Sequence, residues 1–226
     1  MINKETTEKY IRGLFKHGQT IMVGGFGGIG NPPTLLKLLK QSSTSSLTMI
    51  SNDAAFPDIG VGRLFSNNQV KQLITSHIGS NPLAGEKMLQ GDLQVEFCPQ
   101  GILMERIRAG GVGLPAFLSN IQYAEALNLE KEKIEIDDQV LYIEKALKAD
   151  IALIYAKKSD RYGNLFYEST AINTAPVMAM AAAITIVEAE EILELGELQP
   201  NEIMTPGIFV NHVLLSKGVD WKWAWE

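Results

Sequence analysis

The chain has 226 residues, 46% of them hydrophobic, enough for one substantial core, and residues 1–226 are read as one domain. A net charge of −6 without any lysine or arginine cluster argues against a nucleic-acid surface. The single cysteine, Cys98, excludes an intramolecular disulfide and fits a reducing cytoplasm; the longest apolar run, 175–187, is broken by Pro176 and Thr185 and is too short for a bilayer, and no signal peptide opens the sequence.

The first predicted element is a helix over 6–15, with Thr6 as its N-cap. Thr20-Ile21-Met22-Val23 then reads as a strand, and Gly24-Gly25-Phe26-Gly27-Gly28-Ile29-Gly30 as a glycine loop. Asn31 is expected as the N-cap and Pro32 as the first residue of a helix running through 34–39. Free N–H groups and the positive end of a helix dipole would meet at the end of this loop, a place that suits a phosphate or another anion. The loop also satisfies the dinucleotide fingerprint Gly25-x-Gly27-x-x-Gly30, with Asp53 at a plausible distance for a ribose acid. Against a nicotinamide enzyme, Asn31-Pro32-Pro33 puts the helix start after the third glycine, and Ser51-Asn52-Asp53 has the composition of a turn. A purely structural glycine turn is the third reading.

Beyond the loop, strands and helices alternate. Strands are expected at 46–50, 70–75 and 93–97, and helices at 59–65, 84–89 and 102–109. This β-α-β rhythm implies an α/β fold with an open, mostly parallel twisted sheet carrying helices on both faces. The rhythm breaks near Gly110-Gly111-Val112-Gly113. Residues 133–143 alternate around Asp137-Asp138 and predict a surface β-hairpin insertion. Strands resume at 150–155 and 184–188, with an Ala- and Met-rich helix over 176–183 whose composition points to tight packing.

His17, His77 and His212 lie in unrelated contexts, so no metal site is expected. Cys98 reads as a buried thiol, and His77 as either a ligand-facing or a locally satisfied strand-end residue. In open parallel sheets, ligands bind beyond the carboxyl ends of the strands. Asn52 and Gln100 fall there, and each can donate an amide N–H to an oxyanion; on the residues alone, both read as turn residues filling backbone valences.

Several motifs in order resemble the α subunit of the family I coenzyme A transferases. They are Val23-Gly24-Gly25-Phe26-Gly27 with Gly30 and Pro32, Ile50-Ser51-Asn52-Asp53, Ile78-Gly79-Ser80-Asn81-Pro82, and Pro99-Gln100-Gly101 leading to Glu105-Arg106-Ile107-Arg108-Ala109-Gly110-Gly111. Asp160-Arg161-Tyr162-Gly163-Asn164-Leu165, the run from Pro176 to Ala182, and Thr205-Pro206-Gly207 continue the match. The acetate/butyrate–acetoacetate branch is the most similar, and the 3-oxoacid (succinyl-CoA) branch shares most of these motifs.

The resemblance implies ping-pong transfer of CoA between an acyl-CoA and a short-chain carboxylate, with the CoA thioester as substrate and no permanently bound cofactor. The nucleophilic glutamate would come from a β subunit of related fold, in a cytoplasmic α₂β₂ assembly. It also implies that Gly24, Gly25, Phe26, Gly27, Gly28, Ile29 and Gly30 face CoA, that Asn52 donates to the thioester oxyanion, and that Gln100 lines the same pocket. The β-type nucleophile motif is absent: Glu194-Leu195-Gly196 begins like it, is not completed, and is expected as a surface turn. The chain also departs from the family pattern at 119–123, at Ile172, where the family carries arginine, and at Ala183, where a lysine is common. The departures at Ile172 and Ala183 keep a non-catalytic acyl-CoA-binding homologue among the alternatives.

Overall fold

The structure, a computed structural model, describes residues 3–125, 127 and 130–221. The chain begins with α1 (Glu8–Arg12), β1 (Thr20–Val23), α2 (Pro33–Lys40) and β2 (Leu47–Ser51). A 3₁₀ helix (Gly60–Asn67), β3 (Val70–Thr75), α3 (Pro82–Gln90), β4 (Gln94–Phe97) and α4 (Gln100–Gly111) follow. Next come β5 (Ala116–Ser119), β6 (Lys133–Ile136) and β7 (Gln139–Lys145), then β8 (Ala149–Asp160) and β9 (Leu165–Phe166). The last elements are α5 (Ala175–Met180), β10 (Ala182–Leu193) and β11 (His212–Leu215).

The main sheet runs β11-β10-β8-β1-β2-β3-β4, all parallel, with β9 added antiparallel to β8. From the central β1 the chain moves outward through β2, β3 and β4, then returns to β8 on the other side of β1. The strand order therefore reverses between β1 and β8, where such sheets open a crevice. Both faces are buried. Ile21, Val23, Met49, Leu73 and Leu153 point into one apolar layer, closed by Leu35, Leu36 and Leu39 of α2 and by Leu64 and Phe65 of the 3₁₀ helix. Met22, Ile50, Ile74, Ala152 and Ile154 point into the other, closed by Ile102, Leu103 and Ile107 of α4 and Met178 of α5. Period-2 side-chain direction makes strands buried on both faces read as near-continuous apolar runs, and this is why β1 and β3 fall on the residues expected. Each fully buried Leu or Ile in these layers contributes about 1.5–3 kcal/mol.

Several expectations need correction. Thr7, not Thr6, caps α1, accepting from the Tyr10 amide, and the helix is only five residues long. The helix expected over 59–65 is present as a 3₁₀ helix over 60–67, with glycines at its first and third positions. The hairpin is present, Asp137 and Asp138 turning it with φ of 51° and 60°, but β5 joins it to make a three-stranded antiparallel sheet, β5-β7-β6. Helix α5 stops at Met180, so Ala183 lies in β10 rather than near a helix end.

Asn31 does not cap α2; Pro32 holds that position and supplies no side-chain acceptor. The Asn31 amide is instead buried between two loops, its Nδ2 donating to the Gly24 carbonyl and its Oδ1 accepting from the Val61 amide at 3.0 Å. A Cβ on Gly25 would fall 1.9 Å from that Nδ2, and one on Gly60 1.7 Å from that Oδ1. The side chain that suits a cap is thus consumed in joining the glycine loop to the 3₁₀ helix.

Candidate active site

Beyond the carboxyl ends of β1 to β4 lies a cleft of about 400 Å³. Its polar side chains are Asn52, Asp53, Ser76, His77, Ser80 and Gln100, and Phe26 and Phe56 supply aromatic walls. The glycine loop sets one wall. Phe26 and Ile29 pair through both backbone bonds (2.9 and 3.0 Å) around Gly27-Gly28, whose φ values of 58° and 100° make a two-residue hairpin. The tip lifts Phe26 to 52% exposure. A second turn, Phe56 to Ile59, brings Phe56 to the cleft.

Much of the loop's backbone is already engaged within the chain. Gly24 N–H donates to Leu153 O (3.0 Å), Gly25 N–H to Asn173 Oδ1 (2.9 Å) and Gly27 N–H to Asp53 Oδ2 (2.8 Å). Gly24, Gly25, Gly28 and Gly30 are buried, Ile29 is partly buried, and Phe26 is the exposed member of the loop. The start of α2 is likewise engaged. The Glu188 carboxylate, fully buried on β10, accepts from the Leu35 amide (3.1 Å) and from Ser216 Oγ (2.6 Å). Burial pushes its pKa up, opposed by the hydrogen bonds from Ser216, Thr34 and Leu35. The helix that opens on the cleft is α4. Gln100, expected in a loop, is its first residue; Pro99 caps it without a side-chain bond, so its positive end faces the cleft.

The polar groups form a chain of fixed direction. Gln100 Nε2 donates to Asn52 Oδ1 (2.7 Å), and Asn52 Nδ2 donates to Asp53 Oδ2 (2.7 Å). Asp53 Oδ1 accepts from the Ala55 amide (2.7 Å). Each amide nitrogen carries two hydrogens, so one N–H of Asn52 and one of Gln100 remain beyond this chain. Asn52 is 2% exposed and Gln100 exposed, and both line the cleft with the orientation of their amides already set. The Asn52 carbonyl oxygen on the main chain accepts from Ser76 N–H (3.0 Å), Ser76 Oγ (2.6 Å) and Thr75 Oγ1 (3.1 Å), tying the end of β2 to the end of β3.

These contacts remove the dinucleotide alternative. Asp53 is buried and already accepts from three N–H donors within the chain, rather than standing open to a ribose. Gly30 lies against Ala171 and Asn173 rather than at a helix–strand contact. His77 is exposed and lines the cleft. Cys98 is buried as expected, and burial pushes its thiol up. Glu194-Leu195-Gly196 is a surface turn, with Glu194 paired to Arg161 at 2.8 Å. Sequence reasoning missed Phe56 and Ser80; the Phe56-Pro57-Asp58 turn was the available signal, but only packing places it beside Phe26.

Phe26 also borders a second cleft of about 470 Å³, formed with Ile29, Thr170, Ile172 and Asn173 at the β1/β8 crevice. Ile172, one of the departures from the family pattern, therefore sits beside the candidate site, whereas Ala183 does not line either cleft.

The family model described as coenzyme A transferase matches residues 4–216. The alpha chain of a probable coenzyme A transferase of Bacillus subtilis is 50% identical over 93% of this chain and 93% of its own length. The alpha chain of the acetoacetyl-CoA:acetate/butyrate CoA transferase of Clostridium acetobutylicum is 45% identical, covering 90% of this chain and 94% of the relative. The corresponding subunit of a succinyl-CoA:3-ketoacid coenzyme A transferase of Xanthomonas campestris is 42% identical, covering 91% and 85%. Among solved structures, an acyl-CoA transferase apoenzyme of Escherichia coli O157:H7 superposes with a TM-score of 0.86 at 21% identity; 96% of this chain matches 48% of that one, so the chain spans about half its length.

Proposed function

The chain belongs to the coenzyme A transferase family, and from that premise we propose that it is the α subunit of a short-chain acyl-CoA:carboxylate CoA-transferase of the acetate/butyrate–acetoacetate type. The observation that carries the reading is the oriented amide pair, Gln100 to Asn52, at the strand ends beneath an exposed phenylalanine. Among the described residues, Asp53 is the one carboxylate lining this cleft, and its oxygens are held by three donors. A carboxylate so engaged is a poor nucleophile, which supports an attacking glutamate supplied by a β subunit.

On this reading the partner's glutamate attacks the thioester carbonyl. The remaining N–H groups of Asn52 and Gln100 take the charge that develops on the carbonyl oxygen. Collapse expels the CoA thiolate and leaves an acyl–glutamyl anhydride; the thiolate then attacks the glutamyl carbonyl and releases the donor carboxylate. The acceptor carboxylate attacks the resulting glutamyl-CoA thioester, and the same two steps run in reverse to give the new acyl-CoA and the free glutamate. Walls formed by Phe26 and Phe56 would keep water from the anhydride. Contact with CoA falls to the hairpin tip at Phe26 and Gly27, while Gly24, Gly25, Gly28, Ile29 and Gly30 shape and support it. We place the protein in the cytoplasm in an α₂β₂ assembly; among the described residues, no helix is long and apolar enough to cross a membrane.

The succinyl-CoA:3-ketoacid type is the second reading, since a relative of that description is 42% identical against 45% for the acetoacetate type. Ile172 beside the cleft keeps a non-catalytic acyl-CoA-binding homologue as the third. One experiment separates them. The purified chain, alone and mixed with its candidate β subunit, is assayed for CoA transfer from acetoacetyl-CoA to acetate and butyrate, and from succinyl-CoA to acetoacetate. The expected result is transfer by the mixture only, fastest with acetate or butyrate. Turnover by this chain alone would contradict the proposal, and binding without transfer would favour the non-catalytic homologue.

A further inference from the structure

We infer that Asp53 is a positioning residue for CoA transfer, holding the Asn52 amide so that its free N–H is presented to the thioester oxygen. This rests on the reading of Asn52 as the oxyanion donor. An ionised carboxylate accepts and cannot donate, so the Asn52 atom 2.7 Å from Asp53 Oδ2 must be the nitrogen. The opposite end of the same amide must then be the oxygen, and it accepts from Gln100 at 2.7 Å. Rotating the Asn52 amide by half a turn would set its oxygen against the carboxylate and its NH₂ against that of Gln100. Asn52 and Asp53 are 2% and 7% exposed, so water cannot easily repair such a mismatch. A negative charge beside a developing oxyanion is adverse by itself. Its three N–H partners, on Gly27, Asn52 and Ala55, disperse that charge while the carboxylate sets the direction of the amide.

Replacement by the isosteric amide, Asp53→Asn, breaks this arrangement without opening a cavity. If the oxygen of the substituted side chain faces Gly27 and Asn52, its NH₂ faces the Ala55 N–H; if it is turned over, its NH₂ meets two donors. No orientation satisfies all three. The glycine hairpin is also held by Asn31 and Asn173, so losing the Gly27 contact leaves its position largely fixed.

The test is a double-mutant cycle in the reconstituted hetero-oligomer: wild type, Asp53→Asn, Asn52→Ala and the pair. Asp53→Asn is expected to lower kcat about 10–100-fold, short of the loss of a donor itself. The acyl-CoA KM should stay within about threefold. In the Asn52→Ala background the same substitution is expected to change kcat by no more than about twofold, because there is no amide left to orient. Should Asp53→Asn fail to assemble, Asp53→Ser, which keeps an acceptor for the Ala55 N–H, is expected to show the same dependence on Asn52. Equal losses in both backgrounds, or a D53N enzyme as fast as the wild type or faster, would overturn the positioning role alone. A wild-type pair that transfers no CoA would overturn the functional reading, and this inference with it.

Discussion

Helices α2 and α4 begin alike and end up in opposite employment. Each follows a strand of the parallel sheet, and each starts on a proline N-cap without a side-chain acceptor, leaving first-turn amides without intrahelical partners. At α2 the protein supplies its own acceptor, the buried Glu188 side chain of β10. At α4 the first residue, Gln100, lines the cleft and turns its amide toward Asn52. A helix N-terminus thus offers a site only where the rest of the fold leaves it unfilled, and the glycine loop ahead of α2 carries Phe26 to the cleft with the Gly24, Gly25 and Gly27 amides already engaged.

The comparison can be broken or sharpened by substitution. The largest effect is expected at the open end. Asn52→Ala, assayed in the reconstituted complex, should lower kcat about 10²–10³-fold, equivalent to about 2.7–4 kcal/mol. A fall of less than about threefold would return Asn52 to the role of a turn residue.

At the filled end the effect is on stability. Glu188→Leu removes the acceptor of the Leu35 N–H and should cost about 1–3 kcal/mol in a denaturant melt. Glu188→Gln probes the charge. Because burial raises the native pKa of Glu188, the folded state holds its proton more tightly than the unfolded chain, so stability from this group falls as pH rises above the ordinary carboxylate range. The wild type should therefore lose stability relative to Glu188→Gln on going from pH 4 upward, and a pH-independent gap would contradict the assignment.

The smallest effect is expected back at α4. Gly101 has open space where a Cβ would go, so Gly101→Asp should stabilise the fold by about 0.3–1 kcal/mol through the helix dipole. The same anion at the mouth of the cleft should lower kcat/KM. Unchanged activity would remove the α4 terminus from the site.

How much of this was legible depended on the range of the interactions involved. Strands buried on both faces, such as Thr20–Val23 and Val70–Thr75, announce themselves as apolar runs. The Asp137-Asp138 turn was readable because two residues suffice to reverse a hairpin. Ala116–Ser119 was not, being four residues whose pairing with β7 is set by the tertiary fold. The chemistry of Asn31 fits a cap and a buried bridge equally, and only the 3₁₀ helix brought against it at Gly60 and Val61 decides between them. The partner of α2 lies 153 residues away on a strand, beyond any local pattern. Asn52 and Gln100 were found through the family resemblance and their strand-end position. What Asp53 does for them required coordinates, since Asn-Asp in sequence is indistinguishable from an ordinary turn.

The most direct test of the central claim, that this cleft is one half of an acyl-CoA site whose attacking carboxylate belongs to another chain, is intact mass measurement of both subunits after brief exposure of the complex to acetoacetyl-CoA. The account predicts a CoA-sized increment on the β subunit only, with this chain at its unmodified mass. An increment on this chain would contradict it.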